Sequence, residues 1–476
     1  MAEIALLATC LGSGAWIASR IGLSGRDLSL AITLCLGFTA FAVCGLVVIL
    51  LGGWLIPRRV PAALVVLTIA ATIAAIVHRR HLLAQPRLLV ALIAVLALFT
   101  LRNWTYLTND SFFLHYIVDL AIDRGRLAMD DYGWHFLGHP IWLHVAQIWA
   151  NALGEPFIRW VFPVAYLLAA WVAIRAATAS TGKAEMLLAV GPVVLLFGSY
   201  QMVIQAQMAN HHMMVALILL VAGVLLVRDN SRQAAIAAGV MLASVPLMRM
   251  EGAMLVGLFA LGLAPVLATP ARAALVTGIP LVVAFPWFAF IAAHRSDGML
   301  SLSQLLLNYA ALALVCGGVS AILFLARWPS GARVLASWQW LCAVGGLLLI
   351  VGGAVVSPAT TLSNISIVPQ NMLVFARWGV FWDVALLVTL GLAGARLCRV
   401  QLPPSPYASF AAVTFLVVGL LFFVGAMRGP YRYNWSDSAT RMLVHVAPLA
   451  AVWLGERLAI LQQAIAAKNG RQKDLL

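Results

Sequence analysis

The chain has 476 residues, of which 63% are hydrophobic and only 10% charged, and its net charge is +14. A soluble domain carries about 25% charged residues, so this composition excludes an ordinary soluble protein. Apolar stretches of about 20 residues, the length that crosses a bilayer core, recur along the chain. The composition therefore predicts an all-α polytopic integral membrane protein, and its basic residues are topology signals and lipid contacts rather than a nucleic-acid surface.

The apolar stretches predict fifteen membrane spans in chain order. The first is expected to be retained, because MAEIALLATC lacks the basic region and the cleavage site of a signal peptide. The predicted spans are 1–23, 29–55, 60–77, 84–101, 157–176, 185–200, 211–227, 232–248, 252–268, 271–293, 303–326, 337–356, 376–396, 408–427 and 441–463.

The basic tail at 464–476 predicts a cytoplasmic C-terminus, because cytoplasmic segments are rich in Lys and Arg. Alternating back from that tail places 18 of the 30 basic residues inside and 12 outside, and Arg58 and Arg59 fall on the unexpected side. The chemically capable segments then share the outer face: the loop at 102–156, QAQMANHH, Arg249 with Glu251, HRSD and RGPYRYNWSDSATR. This sidedness predicts one outward-facing site built from several loops.

The loop at 102–156 is the richest polar stretch of the chain. Five aspartates and four histidines lie in it: Asp110, Asp119, Asp123, Asp130, Asp131, His115, His135, His139 and His144. Segments 110–124 and 141–153 have helical amphipathic spacing, so two short helices are expected to lie in the membrane interface. A chain this apolar keeps a carboxylate cluster where water or a substrate meets it. The cluster therefore predicts that the functional site lies in this loop.

Three segments resemble the GT-C fold glycosyltransferases. The first is the loop with its acid, juxtamembrane helices and His-Pro; the second is SVPLMRMEGAMLVGLFAL, with Arg249, Glu251 and Gly252; the third is DSATRMLVHVAPLAAVWL, with Arg441 and Pro448. The resemblance implies a GT-C-like helix bundle with a long first outer loop over residues 84–463. Residues 1–83 would be extra N-terminal helices, and 464–476 a cytoplasmic tail.

The resemblance also implies an activity and a location. The protein would be a hexosyl- or pentosyltransferase that takes a sugar from a polyprenyl-phosphate donor. The acceptor would be a lipid, a glycan or a protein on the periplasmic face of the inner membrane. Many members of the superfamily carry a paired acid, whereas Asn109 and Ser111 flank Asp110 here. No cofactor is therefore certain, and a divalent cation is a possible one.

The loop acids have two interpretations each. Asp110 lies where the span meets the outer loop, at headgroup depth, and is the candidate general base for the acceptor; otherwise it is a helix N-cap. Asp130 and Asp131 would hold an acceptor or a metal, or would be solvated loop acids. His139 belongs to the His-Pro of the resemblance and is a candidate substrate contact.

The later polar residues also have two interpretations. Arg249 and Glu251 would bind phosphate or sugar, or would anchor a span at the interface. Arg441 suits a bidentate phosphate contact, although basic residues among aromatics are also typical of an interfacial belt. His211 is a candidate acceptor contact. A joint metal site with His212 is not expected, because vicinal residues on a helix point about 100° apart.

A second class of function stays open, namely a transporter or flippase of lipid-linked substrates. Such a protein should carry charges at mid-bilayer, broken helices in both halves and internal repeats. The sequence contains no clear repeat, and its charges concentrate at one end of the spans. This distribution favours the enzyme.

Overall fold

The computed structural model describes residues 2–23, 28–50, 60–83, 85–102, 160–179, 181–182, 185–208, 211–249, 251–293, 302–397, 403, 405–434 and 436–473. The regular structure in these ranges is helical and contains no strand. The helices, numbered in chain order, are α1 (Ala2–Ile21), α2 (Ser29–Leu50), α3 (Val60–Val77), α4 (Arg79–Leu82), α5 (Pro86–Arg102), α6 (Val161–Ala177), α7 (Met186–Phe197), α8 (Tyr200–Gln207), α9 (His212–Arg228), α10 (Arg232–Leu242), α11 (Ser244–Met248), α12 (Gly252–Gly262), α13 (Ala264–Leu267), α14 (Pro270–Ala293), α15 (Leu302–Leu325), α16 (Pro329–Ala336), α17 (Trp338–Val356), α18 (Pro358–Gln370) with a π-helix (Asn371–Phe375), α19 (Phe381–Leu397), α20 (Ala408–Arg428), α21 (Ser438–Leu443) and α22 (Ala447–Lys473).

Most predicted spans coincide with helices. Eight of them match within one or two residues at each end, namely 1–23, 60–77, 84–101, 211–227, 271–293, 303–326, 337–356 and 408–427. Among the described helices, α4, α16 and nearly all of α8 lie outside the predicted spans, and so does the longer helix α18 with its π-helix. Its sequence PATTLSNISIVPQ mixes hydroxyl, amide and proline residues and lacks a long apolar run, so the pattern did not indicate a helix.

Four described helices are long and apolar enough to cross a membrane: Ser29–Val47, Pro270–Phe290, Trp338–Val356 and Ala408–Arg428. The pair α7 and α8, bent by 55°, would be a fifth. In the part of the chain that the structure describes, the other apolar helices are shorter, and two predicted spans are broken, as α10–α11 and α12–α13. The chain is thus an α-helical protein whose candidate spans fit a membrane protein.

The helices pack into two compact units. The first comprises Met1–Leu168 and Ala206–Ala332, and the second comprises Ala169–Gln205 and Arg333–Leu476. The boundaries at residues 83 and 463 were drawn from the resemblance, and they stay predictions.

In the first unit, glycines set the distance between α1 and α2. A Cβ built on Gly14 would lie 1.7 Å from the carbonyl oxygen of Thr33, and one on Gly37 would lie 1.7 Å from that of Cys10. These two pairings also show that α1 and α2 are antiparallel. Small residues allow such close backbone approach in helices that lack a hydrophobic driving force between them.

Helix α3 packs against α1 in the parallel direction. A Cβ on Gly12 would lie 2.0 Å from the Ala71 carbonyl oxygen, and the hydroxyl oxygens of Thr9 and Thr68 are 3.5 Å apart. The outer side of α3 is an exposed apolar stripe with helical spacing, consisting of Val66, Ile69, Ile73 and Ile76. Such a stripe suits contact with lipid hydrocarbon.

We expect Gly14→Ala to destabilise the α1–α2 pair by about 1–3 kcal/mol, because the added methyl group must push the two backbones apart. Thermal unfolding of the detergent-purified protein measures the loss. Gly278→Ala is the matched control, since nothing lies within 4 Å of a Cβ at that position of α14. Equal melting temperatures for the two variants would contradict the close packing.

Helix α9 is the centre of the later part of the first unit. All fifteen residues from His212 to Leu226 are buried. The chain then runs back through α10–α11 and forward again through α12–α13. A 17-residue helix rises about 25 Å, close to the roughly 30 Å of a bilayer core. Each of the three segments α9, α10–α11 and α12–α13 therefore separates two polar ends by about one membrane thickness.

One of these ends is held by the guanidinium group of Arg272, which is only 6 % exposed. It donates hydrogen bonds of 3.0–3.4 Å that close the ends of α9 and α13; the acceptors are the carbonyl oxygens of Leu226, Asp229, Val266 and Leu267 and the side chain of Asn230. Helix C-termini leave carbonyl groups without intrahelical partners. A cation on such carbonyls also meets the negative end of the helix dipole.

Arg272→Gln should lower the free energy of unfolding by roughly 1.5–3 kcal/mol, because charge-assisted bonds to buried carbonyls are lost. Thermal unfolding in detergent measures the change. Arg232→Gln, at an exposed position of the same end, should shift stability by no more than about 0.5 kcal/mol. Indistinguishable variants would show that Arg272 does not hold these helix ends.

In the second unit, α17 packs closely along α20, where a Cβ on Gly419 would lie 2.4 Å from the carbonyl oxygen of Gly346. Helix α22 approaches α7 in the same way, through Gly455 against the Ala189 carbonyl at 2.0 Å. The overlooked helix α18 packs on both α17 and α20. It therefore belongs to the body of this unit rather than to a surface loop.

Candidate functional site

The structure describes some of the predicted site residues and not others. Asp110, Asp130, Asp131 and His139 lie outside the described residues, so their roles stay predictions. The remaining four are described: His211, Arg249 and Glu251 lie in the first unit, and Arg441 lies in the second.

Arg249 and Glu251 lie at a break between two helices. Helix α11 ends at Met248 and α12 begins at Gly252. The Arg249 amide donates to the Val245 carbonyl at 3.1 Å, and the Gly252 amide donates to the Arg249 carbonyl at 3.0 Å. A Cβ on Gly252 would lie 2.3 Å from the Val245 carbonyl oxygen. Packing therefore explains why a glycine occupies position 252: the chain doubles back so tightly here that a larger side chain would collide with the backbone.

The guanidinium group of Arg249 contacts both Glu251, which precedes α12, and His212, which begins α9. Its Nε lies 3.4 Å from the Glu251 Oε2, and its Nη1 lies 3.1 Å from the His212 Nδ1. A guanidinium group only donates hydrogen bonds, so the His212 Nδ1 is the acceptor in this contact. The Arg249 and Glu251 side chains are only 11% and 8% exposed, so the ion pair is largely screened from solvent.

His211 and His212 lie side by side at the beginning of α9. Both are buried, and their ring centroids are 4.3 Å apart at an interplanar angle of 41°. The sequence argument placed these rings about 100° apart on one helix, but His211 occupies the N-cap position outside the regular helix. Because the Nδ1 of His212 contacts Arg249, that nitrogen is engaged by the guanidinium group.

The electrostatics of this end favour an anion. The N-terminus of α9 begins at His212, beside Arg249, and the N-terminus of α12 begins at Gly252, directly after Glu251. Each helix N-terminus carries roughly half a positive charge and points amide groups outward. The Arg249 cation adds to this field, and the Glu251 carboxylate offsets part of it while orienting the guanidinium group.

The ion pair gives a double-mutant prediction. Arg249→Met should cost about 3–5 kcal/mol of stability, because it leaves the Glu251 carboxylate as a buried charge without its ionic partner. Adding Glu251→Leu should recover part of that loss, so the double variant should fall short of the sum of the singles by ~0.5–3 kcal/mol. Chemical denaturation in detergent measures all three variants. Strict additivity would mean that the two side chains do not interact.

In the second unit, Arg441 lies on the short helix α21. Asp437 caps this helix, because its Oδ2 accepts a hydrogen bond of 2.9 Å from the Ala439 amide. The helix stops at Leu443, a turn follows, and Pro448 is the second residue of α22. The predicted span 441–463 is thus a short helix and a long one. Proline at the first turn of α22 needs no amide partner, which suits this position.

The overlooked helix α18 holds the loop that precedes Arg441. The Asn364 Oδ1 accepts a hydrogen bond of 2.9 Å from the Tyr431 amide, and the Asn371 Nδ2 donates one of 2.9 Å to the Arg432 carbonyl. Asn364 and Asn371 are buried, and their amides satisfy loop backbone groups that would otherwise be costly to bury. The position of the loop is therefore determined by a segment that the hydropathy pattern did not identify.

Sequence reasoning also missed a buried acid in the second unit. Glu456 on α22 is 1% exposed, and its Oε2 accepts a hydrogen bond from the Ser405 hydroxyl. The next residue, Arg457, donates to the Pro403 carbonyl at 2.9 Å. The signal was present in AVWLGERLAILQQ, where an acid interrupts an apolar run. An ionisable group at such a position is a functional candidate by default.

Comparison with known proteins identifies no relative: no protein-family model, curated protein or solved structure matches the chain. The case for a function therefore depends on the residues and geometry described above.

Proposed function

We propose that the protein is a GT-C-like glycosyltransferase of the inner membrane. In this proposal it moves a hexose or pentose from a polyprenyl-phosphate donor to a lipid, glycan or protein acceptor. The reaction takes place on the periplasmic face. The membrane assignment is supported by the candidate spans, whereas the sugar transfer and the orientation are inferences from the site residues.

The observation that carries the proposal is the helix break at Arg249 in the first unit. Arg249 is held by His212 and Glu251 at 3.1 and 3.4 Å, at the point where α9 and α12 begin. A donor phosphate needs cations and amide donors that neutralise it as it leaves. Arginine is suited to bidentate phosphate contact. Arg249 is therefore assigned to the phosphate and Glu251 to orienting Arg249 or contacting sugar.

The other residues complete the proposed reaction from sequence. Asp110 takes the acceptor proton as the general base. Asp130, Asp131, His139 and His211 contact the acceptor. Separately, Arg441 contacts phosphate from the turn before α22, and a divalent cation at the loop acids is an optional component.

A lipid-linked substrate transporter is the second candidate, and two observations favour it. Helices are broken in both units, at residues 249–251 in the first and between α21 and α22 in the second. Glu456 is also a carboxylate buried within an apolar helix. Broken helices and intramembrane charges are typical of transporters. The concentration of acids in one outer loop still favours the enzyme.

Asp110→Asn tests the mechanism. Asn caps a helix about as well as Asp, so the variant should fold and bind donor normally. Loss of the base should lower sugar transfer by ~10²–10⁴-fold. The measurement is transfer of radiolabelled sugar from polyprenyl-phosphate hexose and pentose donors in inner-membrane vesicles, with donor binding measured in parallel.

Arg249→Gln serves as the complementary variant, because it should weaken donor binding through loss of a charge-assisted contact worth ~1.5–3 kcal/mol. Arg327→Gln, at an exposed position, is the control and should change neither quantity. Near-normal transfer by Asp110→Asn would remove Asp110 as the base. Absence of transfer in the wild type, together with lipid flipping in proteoliposomes, would replace the enzyme by the transporter.

A further inference from the structure

Two irregular segments meet in the second unit. One is the bend between α7 and α8, where the helix pair turns by 55°. The other joins the π-helix to α19, and in it Arg377 and Gly379 have left-handed backbone angles, with φ of 58° and 62°. The Gln201 amide donates a hydrogen bond of 3.2 Å to the Arg377 carbonyl oxygen, so the two segments are in direct contact. A π-helix and a non-glycine residue in the left-handed region are both frequent at functional sites.

Three side chains of these segments bury polar groups that the rest of the described chain does not pair. Gln201, Trp378 and Trp382 are 0%, 1% and 5% exposed. Among the residues that the structure describes, no hydrogen-bond partner is present for the Gln201 Oε1 and Nε2 or for the two indole Nε1 atoms. Burying such a group without a partner is costly. A bound molecule that pairs with these groups would offset that cost.

The three side chains, which we call the elbow site, enter the interior from neighbouring positions. Trp378 is bonded to Arg377, whose carbonyl accepts from the Gln201 amide. By standard bond lengths the Cα atoms of Gln201 and Trp378 therefore lie within about 8 Å of each other. The rings of Trp378 and Trp382 meet edge to face, with centroids 5.8 Å apart. Two indole groups and one amide are thus gathered where the two segments touch.

A second contact between the segments lies on their exposed side. Tyr200 precedes Gln201 and is 43% exposed, and Arg377 precedes Trp378 and is also exposed. The guanidinium group of Arg377 lies 4.8 Å from the centroid of the Tyr200 ring. The polar atoms of the elbow site are closed to solvent in this arrangement. A ligand that enters between the segments therefore has to separate the Tyr200 ring from the Arg377 guanidinium group.

The chemistry of the elbow site selects a neutral ligand that carries hydroxyl groups. The only charged residues of the two segments are Arg377 and Asp383, which have opposite signs and are not fully buried. An ionised phosphate or carboxylate only accepts hydrogen bonds and would leave the Gln201 Oε1 unpaired, whereas a cation cannot accept from the indole groups. A hydroxyl group both donates and accepts. The indole rings add apolar surface for the carbon atoms of a ring-shaped ligand.

From this chemistry we propose that the elbow site binds a sugar ring. Its hydroxyl groups accept hydrogen bonds from the two indole N–H groups and from the Gln201 Nε2, and one of them donates to the Gln201 Oε1. By the alternation of spans, the predicted span 185–200 ends at the outer face and the span 376–396 begins there, so the sugar arrives from that face. The elbow site uses none of the residues assigned to sugar transfer, and binding there does not depend on transfer.

The test measures sugar binding to the full-length protein in lipid nanodiscs. The probes are the methyl glycosides of glucose, galactose, mannose, xylose and arabinose, titrated by saturation-transfer difference NMR. The wild type should bind at least one of them. Trp378→Phe and Trp382→Phe keep an aromatic ring but remove one donor each, so each should weaken affinity by about 2–10-fold, the effect of one neutral hydrogen bond. Trp340→Phe is the control, since that indole is 49% exposed on α17, and it should bind like the wild type.

Gln201→Leu separates a ligand site from a structural polar contact. It removes the amide at nearly constant size, so it should weaken sugar affinity by about tenfold or more and at the same time raise the melting temperature, because an unpaired buried polar group disappears. An amide with a structural role would lower the melting temperature when replaced. Gln233→Leu, at an exposed position of α10, should change neither quantity. If Gln201→Leu does not fold, the two Trp→Phe variants decide the test.

Three results would overturn the proposal. One is that no glycoside binds the wild type, which would leave the buried groups to water alone. Another is unchanged affinity in the Gln201 and both Trp variants, which would place the sugar elsewhere. The third is competition by inorganic phosphate, which would make the occupant an anion. Asp110→Asn should bind the glycosides like the wild type. A protein that binds them but transfers no sugar would therefore contradict the proposed function and leave the elbow site in place.

Discussion

The constraint on which the structure depends is that backbone groups buried among apolar helices must be satisfied by the protein itself. Every helix break therefore needs side chains that replace the missing bonds. Arg272 closes two helix ends by donating to carbonyl oxygens. Asn364 and Asn371 do the same for a loop backbone. These three side chains thus satisfy backbone groups where the helical pattern ends.

The same constraint explains why the candidate site lies at a break. Ending α11 and beginning α12 at residues 249–251 exposes helix termini, and these termini create a field that favours an anion. Arg249 stabilises the break through Glu251 and His212, and its position also suits phosphate binding. A residue with both roles should be sensitive to substitution in stability as well as in ligand affinity.

The sequence by itself determined the helical membrane class and the positions of most helices. It also identified Arg249, Glu251 and Arg441 as charged residues beside apolar runs. Apolar run length and sparse charge are local properties, so these inferences needed no tertiary contacts. Only the tertiary structure showed that His212 joins Arg249, because residues 37 positions apart meet through the packing of α9 against the break. It also revealed α18, whose polar face is buried against a loop, since a helix that turns amides inward has no hydropathy signal.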